Sequence, residues 1–125
     1  MLKISDLKIT NPSVASSNRE IEAIAIDKAT VMLEYCRDNW NLENIRELLF
    51  EALRHNQTLW TILRNDMRSQ ENLLPQEIKN NIIALANFIN KRTFEIQSFP
   101  IKEKLNILID INKNISAGLK GSPSD

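Results

Sequence analysis

The residues that could do chemistry are few. Cys36 and His55 are the single cysteine and single histidine of this 125-residue chain, and together they would offer a thiol nucleophile with a general base. Cys36 falls in the apolar register of a helical stretch, where a free cysteine behaves as a small hydrophobe, and His55 lies one position off the apolar stripe of the next. The pattern argues against a catalytic pair. No run of Cys, His, Asp and Glu has the tight convergent spacing of a zinc or calcium site. A glycine-rich phosphate loop is excluded as well, because Gly118 and Gly121 are the only glycines. The chain is therefore expected to be non-enzymatic, with no catalytic, cofactor-binding or metal-binding residues.

Charge and hydropathy narrow the partners. Lys plus Arg equals Asp plus Glu at 16 each, so no net charge drives non-specific attachment to nucleic acid or an anionic membrane. Basic residues do meet an aromatic at Lys91, Arg92 and Phe94, with Lys102, Lys104 and Lys113 beyond, but solvated helix surface accounts for these and direct nucleic-acid binding is not expected. One cysteine allows no internal disulfide, and neither a secretory signal nor a membrane-length apolar span is present, which leads to the expectation of a cytoplasmic protein without membrane insertion.

Position is supplied by four helical stretches. Residues 1–16 contain Pro12 and no sustained period and read as a flexible arm, although Leu2, Ile4, Leu7 and Ile9 could pack. Ser17 and Glu20 have the form of a capping box, which predicts a first helix beginning near Asn18. Its core stripe is Ile26, Ala29, Leu33, Cys36 and Trp40, with Ile24, Val31 and Tyr35 forming a second, narrower one. A second helix from about Leu42 to Met67 carries Ile45, Leu49, Ala52, Asn56, Leu59 and Leu63 at alternating spacings of four and three. Pro75 suits the first turn of a third helix with Ile78, Ile82, Leu85 and Ile89 inward, joined by Ala86 and Phe88, and Ser98-Phe99-Pro100 breaks it, leaving Ser98 as a cap for the next. The fourth places Ile101, Leu105, Leu108, Asn112, Ile115 and Leu119 on one face and ends at Gly118 or Gly121. The economical fold is all-α: an antiparallel four-helix bundle with a flexible N-terminal arm, one helical domain over 17–120 and a disordered tail over 121–125.

Several residues exceed what such a core requires. Ile107 and Ile111 lie off the main stripe of the fourth helix, so they form a docking surface if that helix packs on one side, or core if it is central. Ile24, Val31 and Tyr35 carry the same ambiguity. Asn56 and Asn112 sit in core register, where an amide either fixes helix pairing or meets a partner's backbone. Trp60 and Trp40 suit a core, though tryptophan is also enriched at interface hot spots. The candidate protein-binding residues are thus Ile107, Ile111, Asn112, Ile115, Asn56, Trp60 and Tyr35.

The stretch His55-Asn56-Gln57-Thr58-Leu59-Trp60-Thr61-Ile62-Leu63-Arg64-Asn65-Asp66-Met67 resembles the central block of the FlaF family of flagellar biosynthesis regulators. Glu71-Asn72-Leu73-Leu74-Pro75-Gln76-Glu77-Ile78 resembles the family's asparagine-x-leucine-proline turn, and Ile82 to Ile89 its following apolar helix. Leu108 to Leu119 resembles its C-terminal end, so the likeness spans about residues 11 to 119. Asn87 departs from a position that is often tryptophan in the family, and the Lys91-Arg92 pair has no clear counterpart.

The resemblance implies a cytoplasmic protein of α-proteobacterial type that promotes flagellin production or export, acting as a chaperone on flagellin's terminal helical segments ahead of the flagellar type III apparatus. The competing implication is a post-transcriptional regulator acting through flagellin messenger RNA or an RNA-binding regulator of flagellin translation. Neutral charge and a single tyrosine argue against direct RNA contact.

Overall fold

In the computed structural model the backbone is described from Pro12 to Gly121 and the side chains from Arg19 to Gly121. Four helices follow one another, α1 (Pro12–Asp38), α2 (Ile45–Met67), α3 (Gln76–Ser98) and α4 (Leu105–Leu119), with a 3-10 turn at Lys102–Lys104 leading into the last. The described residues form the expected four-helix bundle. None of its helices is long and apolar enough to cross a membrane.

The first helix begins earlier than the capping-box pattern suggests. Ser17 and Glu20 lie inside α1, which starts at Pro12, so the expected arm is helical over residues 12–16 and the rest of it falls outside the described residues. Proline, which lacks an N–H and has φ fixed near the helical value, fits a first turn and makes a cap at Ser17 unnecessary. Ser98 is likewise the last residue of α3 rather than a cap for α4, whose preceding 3-10 turn starts after Ile101 without a side-chain cap. At the far end Lys120 closes α4 and Gly121 follows with φ of 73°, a left-handed conformation that glycine adopts without a Cβ clash. The expected tail beyond it, residues 122–125, lies outside the described residues.

The core forms where the four-and-three spacing promised. Ile26, Ala29, Leu33 and Cys36 of α1 meet Leu49, Ala52, Leu59 and Leu63 of α2, Ile82, Ala86, Ile89 and Ile96 of α3, and Leu105, Leu108 and Leu119 of α4. Some placements differ. Ile109, uncounted in the stripe of the fourth helix, is fully buried, whereas Ile101 precedes the helix and is exposed. Ile78, expected inside, is exposed in the first turn of α3, while Trp40, just past the end of α1, is half-buried against the core.

A short polar device sets the turn between α2 and α3. Asn72 Nδ2 donates to Asp66 Oδ2 at 3.2 Å, while its Oδ1 accepts the Leu74 N–H at 2.9 Å. One buried side chain thereby joins the end of α2 to the residue before Pro75, which gives the Asn-Leu-Leu-Pro sequence its physical content. Further along, Arg64 Nη1 donates to Asn87 Oδ1 at 2.9 Å and ties the two helices side by side. Asn87 thus stands on the surface as a polar link where a tryptophan would have supplied apolar area.

The helices do not close evenly. α1 packs broadly on α4 and on α2, and α2 on α3, but α3 and α4 barely touch.

Candidate functional site

The two walls of the gap follow from helical geometry. At about 100° per residue, Leu105, Leu108, Asn112 and Leu119 point α4 into the core, leaving one flank on either side. The flank toward α1 is polar: Asn106 accepts from Arg37, Lys113 pairs with Glu34 and Lys120 with Asp27. The opposite flank carries Ile107, Ile111 and Ile115 at spacings of four, and at Ile115 it faces Ile78 and Ile82 of α3. On α3 the matching wall is Ile78, Asn81, Leu85 and Phe88, at spacings of three and four.

At the end where α3 begins and α4 finishes, these walls enclose a cleft of about 270 Å³, lined by Leu74, Ile78, Asn81 and Ile82 on one side, by Asn114, Ile115, Gly118 and Leu119 on the other, and by Arg19. Gly118 has no atom within 4 Å of where a Cβ would stand, so this wall is open. Toward the opposite end Ile107 remains 39% exposed and Phe88 is exposed beneath the Arg92 guanidinium, 5.4 Å from the ring centroid. Ile111 and Ile115 are half-buried with their inner edges on the core. An apolar trough with cationic groups above it has the chemistry to seat an amphipathic helix.

The structure divides the seven residues singled out by sequence. Ile107, Ile111 and Ile115 share one flank of α4, of which Ile115 lines the cleft. Tyr35 lies apart, exposed on the outer face of α1. Asn56, Trp60 and Asn112 are fully buried and serve one another: Trp60 Nε1 donates to Asn112 Oδ1 at 2.8 Å, and Asn112 Nδ2 donates to Asn56 Oδ1 at 2.8 Å. The expectation that these three meet a partner is corrected by that arrangement, because a partner cannot reach them while the bundle is folded. Their role is to cross-link α2 and α4 in one register. Sequence reasoning missed the opposing wall because Ile78 and Phe88, both exposed, had been assigned to the apolar stripe of the third helix.

Cys36 lies in the core, where burial, and secondarily the charge of Glu51, push its thiol above the ordinary value and away from the thiolate a nucleophile needs. His55 faces a shallow surface depression with Glu47, Glu51 and Arg54 of the same helix. Among the described residues no three His, Cys, Asp or Glu side chains gather as a metal site would require.

Comparison with known proteins gave no match among curated proteins and none among solved structures. A family model described as Flagellar protein FlaF matches residues 9–119, nearly the whole chain, including both walls of the cleft and the Trp60–Asn112–Asn56 bridge, and the chain therefore belongs to the FlaF family of flagellar proteins.

Proposed function

We propose that this protein is a non-enzymatic flagellin chaperone of the cytoplasm, holding a terminal helical segment of flagellin in the α3–α4 cleft and so promoting its synthesis and export through the flagellar type III apparatus. The observation that carries the reading is the open apolar cleft in a member of a flagellar family. Helices destined to pack in a filament expose apolar stripes before assembly, and a trough walled by Ile78, Ile82, Ile115 and Leu119 covers such a stripe by the helix-in-groove mode. The test is calorimetric titration of the full chain with unassembled flagellin, with flagellin lacking its terminal segments as control. Saturable binding that requires those segments supports the chaperone. Absence of binding at tens of micromolar, roughly −6 to −7 kcal/mol, rejects it.

A second reading, a regulator acting through flagellin messenger RNA or its translation regulator, has one observation in its favour. The end of α3 exposes Phe94 beside Lys91, and the chain after it presents Phe99 beneath Lys104, a combination able to stack a base and neutralise phosphate. Binding of flagellin leader RNA that weakens steeply with salt would favour this reading over the first.

A further inference from the structure

The outer face of α1 carries a seam that no other helix of the bundle covers. Ile21, Ile24, Lys28, Val31 and Tyr35 follow one another at spacings of three, four, three and four, the a and d pattern of a coiled coil, over about 21 Å of helix. All five are exposed, Ile24 at 64% and Val31 at 62%. Four apolar side chains aligned this way form a contiguous strip, unlike scattered surface hydrophobes.

The charges within and beside the strip specify what fits it. Lys28 sits at its centre, and no carboxylate among the described residues pairs with it. The acidic residues along one flank are Glu20, Asp27 and Glu34, spaced by seven, and two of them are already engaged by Lys120 and Lys113 of α4. A second copy of this chain fits poorly. Parallel pairing in register would set Lys28 against Lys28, and antiparallel pairing would bring the two acidic flanks together.

We propose that the outer seam of α1 is a docking site, separate from the α3–α4 cleft, for one amphipathic helix of another protein that places a carboxylate against Lys28 and a basic residue beside Glu20, the flank carboxylate that α4 does not engage. The proposal is independent of what the cleft binds. The apolar strip supplies the contact, and the Lys28 pair selects partner and register, since a carboxylate facing it is attracted and a cation repelled.

The test uses the full chain and two synthetic helical peptides of about three heptads, with leucine in the seam, lysine on the flanks, and either glutamate or lysine at the central seam position. Fluorescence anisotropy should show the glutamate peptide binding about tenfold more tightly than the lysine peptide. Lys28→Glu should invert that order. Val31→Asp should abolish binding of both peptides, and Ile107→Asp on the open flank of α4 should leave it unchanged. All these positions are exposed, so the variants keep the fold. Equal binding of the two peptides, no saturation by the glutamate peptide, or loss of its binding in Ile107→Asp would each overturn the proposal. So would a dimer of the unmodified chain in sedimentation that Val31→Asp dissolves, since a second copy would then be the occupant.

Discussion

The two flanks of α4 are built from opposite materials. Toward α1, Asp27 takes a hydrogen bond from Ser116 at 2.5 Å and an ion pair from Lys120 at 2.7 Å, Glu34 meets Lys113 at 3.0 Å, and Arg37 donates to Asn106 at 3.0 Å. Toward α3 the flank is three isoleucines and a glycine with Asn114 at its edge, and no hydrogen bond or ion pair ties it to the facing helix among the described residues. Directional bonds specify one mate in one register, whereas an apolar flank accepts any surface of suitable shape. The difference assigns the first flank to the fold and leaves the second available to a partner.

The comparison is broken most severely at the bridge that holds α4 against α2. Asn112→Ala removes the acceptor of the Trp60 indole N–H and the donor to Asn56, leaving both groups buried without a partner. A loss of about 3 kcal/mol is expected in denaturant unfolding, with the urea midpoint falling and the slope unchanged. A loss below about 1 kcal/mol would mean that the bridge does not set the register of α4.

A smaller effect on stability separates two residues of the open flank that sequence could not distinguish. Ile107→Asp alters an exposed position and should move stability by less than about 0.5 kcal/mol while weakening flagellin binding at least tenfold. Ile111→Asp sets a carboxylate against the core edge and should cost about 2 kcal/mol. Thermal unfolding and calorimetric titration of the same two preparations check both. If Ile107→Asp unfolds the protein instead, the flank belongs to the core and the contrast between the two sides of α4 disappears.

Much of this was legible in the residues, and the misses have physical causes. The spacing of four and three located every helix because burial of one stripe is the dominant requirement on a bundle helix, and it put Leu33, Leu59, Ile89 and Leu108 inside. It does not say how many neighbours a helix has. Ile78 and Ile109 were misassigned for that reason: a flank facing a gap and a flank facing a helix carry the same residue types. Asn56, Trp60 and Asn112 were recognisable as unusual, but whether an amide in core register meets its own fold or another protein depends on residues 52 and 56 positions away in the chain. Asp27 and Ser116, separated by 89 positions, were beyond periodicity altogether.

The mildest perturbation tests the polar flank through that last pair. Burial raises the Asp27 carboxyl, but hydrogen bonds from Lys120 and Ser116 and the charge of Lys120 outweigh it and hold the group below its ordinary 3.8. A carboxylate with a depressed folded pKa contributes stability above its unfolded pKa, and that contribution is lost as pH falls through the folded value. Asp27→Asn should therefore be less stable than the unmodified protein at neutral pH, by under about 1 kcal/mol because the pair is partly solvated. The deficit should shrink between about pH 5 and pH 2 as the native carboxylate is protonated. Urea unfolding of both proteins across that window reads the difference directly. A deficit that persists unchanged at low pH would show that Asp27 acts by shape and neutral hydrogen bonding, so that charge contributes nothing to closing α4 on α1.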